Sequence, residues 1–145
     1  MASSAAFPVI CLLHSTIAIL AGSLMMFCAQ KVYTFNHGIE ATLKLLGSTP
    51  NDQLLIRTSD SFSGLLLFAI GLVLFMVAFV KDGDFQSFFA KGCVALHVAM
   101  GLWRVYFERS VEVLAWDWAR QGVGDVVLAL SWVFFLLRAW KDKYD

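Results

Sequence analysis

The sequence predicts an all-α integral membrane protein built as a bundle of four membrane-spanning helices. Hydrophobic residues make up 59% of the 145-residue chain and charged residues only 15%, whereas a soluble domain has about 45–50% and about 25%. Four apolar stretches approach the roughly 20 residues that a spanning helix needs, and none alternates with the period of two that marks a membrane β-barrel. We expect one four-span domain, residues 1–145, with spans at 7–29, 62–80, 88–107 and 123–140.

Charge and composition exclude several other classes of protein. The chain has 11 Lys and Arg against 11 Asp and Glu, so it is not a polybasic nucleic-acid-binding protein. The 13 Phe and 5 Trp exclude disorder. The 3 Cys are too few, and odd in number, for a disulfide scaffold. Sequence signatures of serine hydrolases, zinc proteases and phosphate-binding loops are absent, so we do not expect an enzyme.

The first apolar stretch is expected to stay in the protein as a helix. No Lys or Arg precedes it, and it exceeds the apolar core of about 7–15 residues in a signal peptide. The connection at 31–57 predicts a short amphipathic helix that ends at Gly47, followed by a new helix that Ser48, Thr49 and Pro50 begin. A tight polar turn is predicted at 81–84. Residues 108–121 are expected to form an interfacial helix or an extension of the third span.

The C-terminal tail indicates a cellular address. Four spans place both termini on one side of the membrane, but the loops carry nearly equal numbers of basic residues and do not fix which side. Lys141 and Lys143 stand fifth and third from the end, as in the K-x-K-x-x retrieval signal of endoplasmic reticulum membrane proteins, a receptor-read address. If it is read, both termini are cytosolic. The alternative is a basic end that snorkels from the last span.

Ionisable residues within the spans form a predicted polar seam. His97, Arg104 and Glu108 share one face of the third helix, and a charge inside a span costs roughly 2.5–3.5 kcal/mol on insertion scales. The seam could line a water-filled path. Alternatively, it joins helices through hydrogen bonds and an ion pair from Arg104 to Glu108 or Asp125, which we favour.

Two histidines raise the question of a cofactor. His14, beside Ser15 in the first span, and His97 lie at compatible depths and could together ligate haem. We favour His14 as a hydrogen-bonded core residue and expect no haem, no other cofactor and no fixed metal ion.

A stripe on the second span is the main candidate for an ion path. It begins at Asp60 and contains small residues that allow close helix contact. Such a stripe is typical of a pore-lining helix with an acidic mouth or of a packing helix in which Asp60 pairs with Arg57. Glu108 and Glu112 are the next candidates for a mouth acid. The stripe comprises Asp60, Gly64, Leu67, Gly71, Leu74 and Ala78.

The layout of the whole chain, with the segments at 35–40 and 55–64 and the tail at 141–145, resembles the small plant endoplasmic reticulum membrane proteins of the WeiTsing type, a family linked to clubroot resistance. The resemblance implies a pentamer with a central pore. It also implies permeability to calcium and other cations, and a role in plant immune signalling. No functional residue is carried over from it.

Together these observations predict a ring-shaped homo-oligomeric cation channel of the endoplasmic reticulum, with the lipid bilayer, further copies of the chain, and calcium and monovalent cations as its partners. A ring supplies an axial pore that a single small bundle does not. Two alternatives remain open. One is a membrane protein that binds a small sterol-type ligand, or isomerises it, at the His97–Arg104 seam. The other is a non-catalytic membrane adaptor.

Overall fold

The computed structural model describes residues 5–110 and 118–144. In these residues the chain forms five α-helices and one short 3₁₀ turn at Glu108–Ser110. Four helices are long and apolar enough to cross a membrane, which confirms the prediction of an all-α, multi-pass membrane protein. The helices are α1 (Ala6–His37), α2 (Ile39–Leu45), α3 (Pro50–Val77), α4 (Gly83–Tyr106) and α5 (Trp118–Tyr144).

The helix boundaries differ from the predicted spans mainly at the ends. The backbone of α1 departs from helical geometry at Cys28, with φ −135° and ψ 27°, next to the predicted end of the first span. A helical extension then continues to His37. α4 starts five residues earlier than predicted, because Asp82 caps it by accepting a hydrogen bond from the Phe85 N–H at 2.8 Å. α5 also starts five residues before the predicted span.

The connection between α1 and α3 follows its local sequence signals. Gly38 and Gly47 flank α2 with φ of 83° and 84°, a region that favours glycine. Thr49 and Asp52 form a reciprocal cap at the start of α3. The Asp52 N–H donates to Thr49 Oγ1 and the Thr49 N–H donates to Asp52 Oδ2, both at 3.2 Å. The predicted end at Gly47 and the predicted start of α3 are confirmed.

The later connections are only partly described. The turn before α4 is closed by the buried Gln86 side chain, whose amide donates to the carbonyl of Val80 at 2.8 Å. α4 itself ends at Tyr106 and the 3₁₀ turn follows, so the third span is not extended as a continuous helix. The rest of the prediction for 108–121 falls largely on residues 111–117, outside the described residues.

The chain divides into two compact units. We call His14–Phe75 the central unit and Met1–Leu13 with Met76–Asp145 the terminal unit. In the central unit, α1 and α3 approach closely at glycines: a Cβ added to Gly22 would lie 2.6 Å from both the Gly64 carbonyl oxygen and the Phe68 amide nitrogen. The terminal unit has an aromatic core with ring centroids 5.3–6.3 Å apart. Its members are Phe7, Phe89, Trp132 and Phe135.

Candidate functional sites

A buried carboxylate joins α4 to α5 in the terminal unit. The Arg104 Nε donates to Asp125 Oδ2 at 2.6 Å, and His97 Nδ1 lies 3.9 Å from Asp125 Oδ1. The Asp125 side chain is only 9% exposed and that of His97 only 11%. Because His97 and Arg104 are seven residues apart, two helical turns place them on the same face of α4. We call these three residues the Asp125 cluster.

The Asp125 cluster joins His97 and Arg104 of the predicted polar seam to Asp125, one of the two acids expected to pair with Arg104. Of the two acids considered for Arg104, Asp125 is the one it bonds in the structure, while the Glu108 side chain lies outside the described part. His14, the other ionisable residue predicted inside a span, is buried in the central unit. A guanidinium bonded to a carboxylate is an electrically neutral pair. The contact therefore pairs two side chains whose charges would each be costly to bury alone.

Asp60 lies in the central unit, half-buried in the N-terminal half of α3. Its Oδ1 accepts a hydrogen bond from the Tyr33 hydroxyl at 2.7 Å, and the Tyr33 ring lies 6.3 Å from that of His37. No ion pair joins Asp60 to Arg57 in the part of the chain that the structure describes. Asp60 is therefore fixed by the helical extension of α1 that follows the kink at Cys28.

The small-residue stripe that starts at Asp60 packs against α1. A Cβ on Gly64 would lie 2.7 Å from the Gly22 carbonyl oxygen, and one on Gly71 would lie 2.6 Å from the Ile19 side chain. The Ser15 hydroxyl donates to the Gly71 carbonyl at 2.7 Å. These contacts assign the two glycines to helix packing within the protomer. Asp60 lies at the end of this contact surface.

The remaining candidates are less fully described. Glu108 lies in the 3₁₀ turn after α4, and Glu112 lies outside the described residues. Lys141 and Lys143 are exposed in the last turn of α5. Residues two apart on a helix project about 200° from one another, so a receptor that reads both from one side requires this turn to unwind. Helix ends commonly fray in this way.

Sequence patterns did not predict two of these contacts. The hydrogen bond from Tyr33 to Asp60 could not be predicted, because residues 27 apart on different helices share no local pattern. The small face of α1 could have been found, because Ser15, Ile19 and Gly22 recur at spacings of four and three. Among the described residues, no group of three His, Cys, Asp or Glu side chains could hold a metal ion.

A groove of about 320 Å³ lies on α4 beside the Asp125 cluster. Its lining is largely apolar and includes Ala99, Met100, Trp103 and Arg104. The groove is open at the surface.

The described residues define a multi-pass helical membrane protein in which an ion pair joins α4 to α5 and small residues join α1 to α3. The chain belongs to the family defined by a domain of unknown function, DUF7865, whose model matches residues 2–133. The match ends before Lys141 and Lys143. No curated protein and no solved structure matches the chain.

Proposed function

We propose that this protein assembles as a homo-oligomeric, calcium-permeable cation channel of the endoplasmic reticulum membrane. The observation that carries the proposal is how little of α4 is buried within the protomer. Of the four candidate spans, α4 has the lowest hydropathy, yet only 6% of its most apolar 18-residue stretch is buried, against 28%, 17% and 17% in the others. Because polar groups are costly in lipid, the least apolar helix is expected to be the best covered. Further copies of the chain would supply that cover.

The exposed face of α4 suits contact with another helix. It carries Lys91, Gly92, Ala95 and Ala99, all exposed, and a Cβ added to Gly92 would meet nothing within 4 Å. Small residues permit close approach between membrane helices, as they do at Gly22 and in the stripe on α3. On α4, by contrast, no described residue of the protomer packs closely against Gly92.

A ring of identical protomers would close by cyclic symmetry and leave an axial path. Cation preference would come from carboxylates repeated once per protomer, which raise the local concentration of cations, with an apolar constriction deeper in the path. Asp60 is the first candidate, because its carboxylate is half-buried and held in place by Tyr33. Glu108 and Glu112 follow. A pentamer and a role in plant immune signalling rest on the resemblance alone.

Assembly is tested with two matched glycines. Gly92 on α4 and Gly124 on α5 are both exposed, and a Cβ on either would meet nothing within 4 Å. Gly92→Leu should shift the protein from oligomer to monomer in native mass spectrometry from mild detergent, whereas Gly124→Leu should not. A monomeric wild-type protein, or the same oligomeric state in both variants, would contradict assembly through the exposed face of α4.

Conduction is tested by bilayer recordings of reversal potential under a calcium gradient. Asp60→Asn should lower calcium permeability relative to potassium, while Asp84→Asn, an exposed acid at the start of α4, serves as the control. Tyr33→Phe removes the hydroxyl that binds the Asp60 carboxylate but leaves the negative charge of Asp60 in place. We therefore expect a smaller change in calcium permeability. If Asp60→Asn leaves the reversal potential of an active channel unchanged, Asp60 is not the selectivity residue.

The proposed address depends on Lys141 and Lys143. Replacing both with Ala should move the protein beyond the endoplasmic reticulum, as followed by fractionation. Replacing Lys44 and Lys81, two exposed lysines elsewhere in the chain, should not. Unchanged location of the tail variant would also withdraw the assignment of cytosolic termini.

The groove on α4 favours a second candidate function, the binding of a small apolar ligand of the sterol type. Its apolar lining and its volume of about 320 Å³ fit part of such a ligand. A fluorescent sterol in micelles should bind the wild-type protein, and Trp103→Ala should weaken binding while Trp140→Ala, at an exposed tryptophan of α5, does not. Equal binding by both variants would exclude the groove.

A further inference from the structure

Lys91 lies on the exposed face of α4, a helix that is long and apolar enough to cross the membrane. α4 has 24 residues and is about 36 Å long, so a hydrocarbon core of roughly 30 Å encloses most of it. Lys91 comes eight residues after Gly83, where the helix begins, and its Cα is therefore about 12 Å from that end. This depth is inside the hydrocarbon core, where a charged group needs a partner or a route to the membrane surface.

The protomer provides no partner for Lys91 in the part of the chain that the structure describes. Among residues 5–110 and 118–144, no hydrogen bond or ion pair involves its amine. Asp84 lies two turns before Lys91 on the same face of α4, but it is also exposed and the two side chains form no ion pair. The positive charge of Lys91 is therefore not balanced by the described residues of its own protomer.

The nearer membrane surface lies at the start of α4. Long side chains on a helix lean toward its N-terminus, and for Lys91 this is also the direction of the nearer surface. A lysine in such a position extends its apolar stem along the helix and places its amine toward the lipid headgroups. Phe88, one turn closer to that surface, is 77% exposed, and a Cβ on Gly92 would meet nothing within 4 Å. A lipid molecule can therefore lie directly against this face.

The same end of the terminal unit carries an excess of basic residues. α4 and α5 are antiparallel, because Phe89 near the start of α4 contacts Trp132, whereas Arg104 near its end bonds Asp125 at an earlier position in α5. The start of α4 and the end of α5 therefore lie at one end of the unit. Five basic residues face three acidic ones among the described residues there, which favours a lipid with net negative charge. They are the basic Lys81, Lys91, Arg138, Lys141 and Lys143 and the acidic Asp82, Asp84 and Asp142.

We propose that Lys91 binds the phosphate of an anionic phospholipid that lies against the first turns of α4. A phosphate oxygen accepts a charge-assisted hydrogen bond from a lysine ammonium. Zwitterionic phosphatidylcholine also carries a phosphate, but its own choline group balances that charge, so the anionic lipid is preferred. With the termini cytosolic, as proposed above, this end of the protein faces the leaflet whose surface is negatively charged.

The bound lipid also affects assembly through the exposed face of α4. Copies that meet near Gly92 bring Lys91 into or beside their contact, and an unbalanced charge in such a contact is costly. A lipid anion at Lys91 removes that cost. This consequence rests on the proposed assembly, whereas lipid binding by Lys91 does not.

Native mass spectrometry of the full chain in mild detergent measures the binding of phosphatidylserine and of phosphatidylcholine with the same acyl chains. The wild-type protein should bind phosphatidylserine more tightly. Lys91→Gln should weaken phosphatidylserine binding by about fivefold, the contribution of one lysine near a membrane surface, and leave phosphatidylcholine binding unchanged. Lys91→Arg should keep the preference, and so should Lys44→Gln, which removes an exposed charge from α2. Because Lys91→Gln removes a charge from a span, it does not hinder insertion of α4.

Equal binding of the two lipids by the wild-type protein, or an unchanged preference in Lys91→Gln, overturns the proposal. Inorganic phosphate should not displace phosphatidylserine, and displacement would mean that the site takes free phosphate rather than lipid. The same spectra report assembly separately. A monomer that prefers phosphatidylserine through Lys91 supports the lipid site and contradicts the proposed assembly, whereas an oligomer without this preference contradicts the lipid site alone.

Discussion

The close contact between α1 and α3 yields the sharpest prediction, for Gly22→Ala. The added Cβ would lie 2.6 Å from both the Gly64 carbonyl oxygen and the Phe68 amide nitrogen. Both are backbone atoms, so no flexible side chain can give way and the helices must separate locally. To reach an ordinary contact of about 3.4 Å they would move apart by about 0.8 Å, which loosens close packing along the interface. The same shift would weaken the neighbouring hydrogen bond from Ser15 to Gly71.

The magnitude follows from two opposing terms. Overpacking of a tight interior costs typically about 1–3 kcal/mol, and the rigid backbone partners place this site near the upper end. Replacing a glycine inside a helix by alanine returns about 1 kcal/mol. We therefore expect Gly22→Ala to destabilise the protein by about 2 kcal/mol. Gly101→Ala on α4, where a Cβ meets nothing within 4 Å, should stabilise it by about 1 kcal/mol.

Unfolding in mixed micelles with increasing sodium dodecyl sulfate, followed by circular dichroism, measures both variants. The double variant Gly22→Ala with Gly64→Ala adds a check, because each added methyl group meets the other glycine's backbone carbonyl. Once one methyl has separated the helices, the second should cost less than it does alone. Additive losses, or a Gly22→Ala protein as stable as Gly101→Ala, would refute the close approach of α1 and α3.

Three further substitutions probe individual contacts by the same unfolding assay. Arg104→Gln leaves the Asp125 carboxylate buried without its cation and should cost about 3–5 kcal/mol; adding Asp125→Asn should recover most of the loss, and a failure to recover would mean that Arg104 acts through other contacts. Ser15→Ala removes the buried hydrogen bond to a backbone carbonyl and should cost about 0.6 kcal/mol, the average for such contacts in membranes; a loss several times larger would indicate that the hydroxyl does more than this bond. Thr49→Ala removes the cap of α3 and should cost about 1 kcal/mol; restoration by Thr49→Ser but not by Thr49→Val would identify the hydroxyl as the cause.

The sequence by itself determined the number of spans and much of the local architecture. Burial of an apolar stretch in lipid is a local, additive property, so hydropathy alone located four helices that the structure contains. Caps and turns are equally local. Gly47 and Thr49 could be assigned because a positive φ and an unsatisfied helix end each demand particular residue types within a few positions. Helix ends were less certain, since Asp82 extended α4 by five residues through one side-chain bond.

Only the tertiary structure decided which residues on those helices meet. Residue spacing assigns a side chain to a face of its helix but does not show which helix that face contacts. The sequence therefore left Asp60 either at the mouth of a pore or paired with Arg57. In the structure Asp60 accepts a hydrogen bond from Tyr33. The same limit applies to small residues. Gly64 and Gly92 look alike in sequence, yet Gly64 lies against the backbone of α1 and Gly92 faces open space. The difference arises because contacts between helices depend on their rotation and separation, which no local pattern encodes.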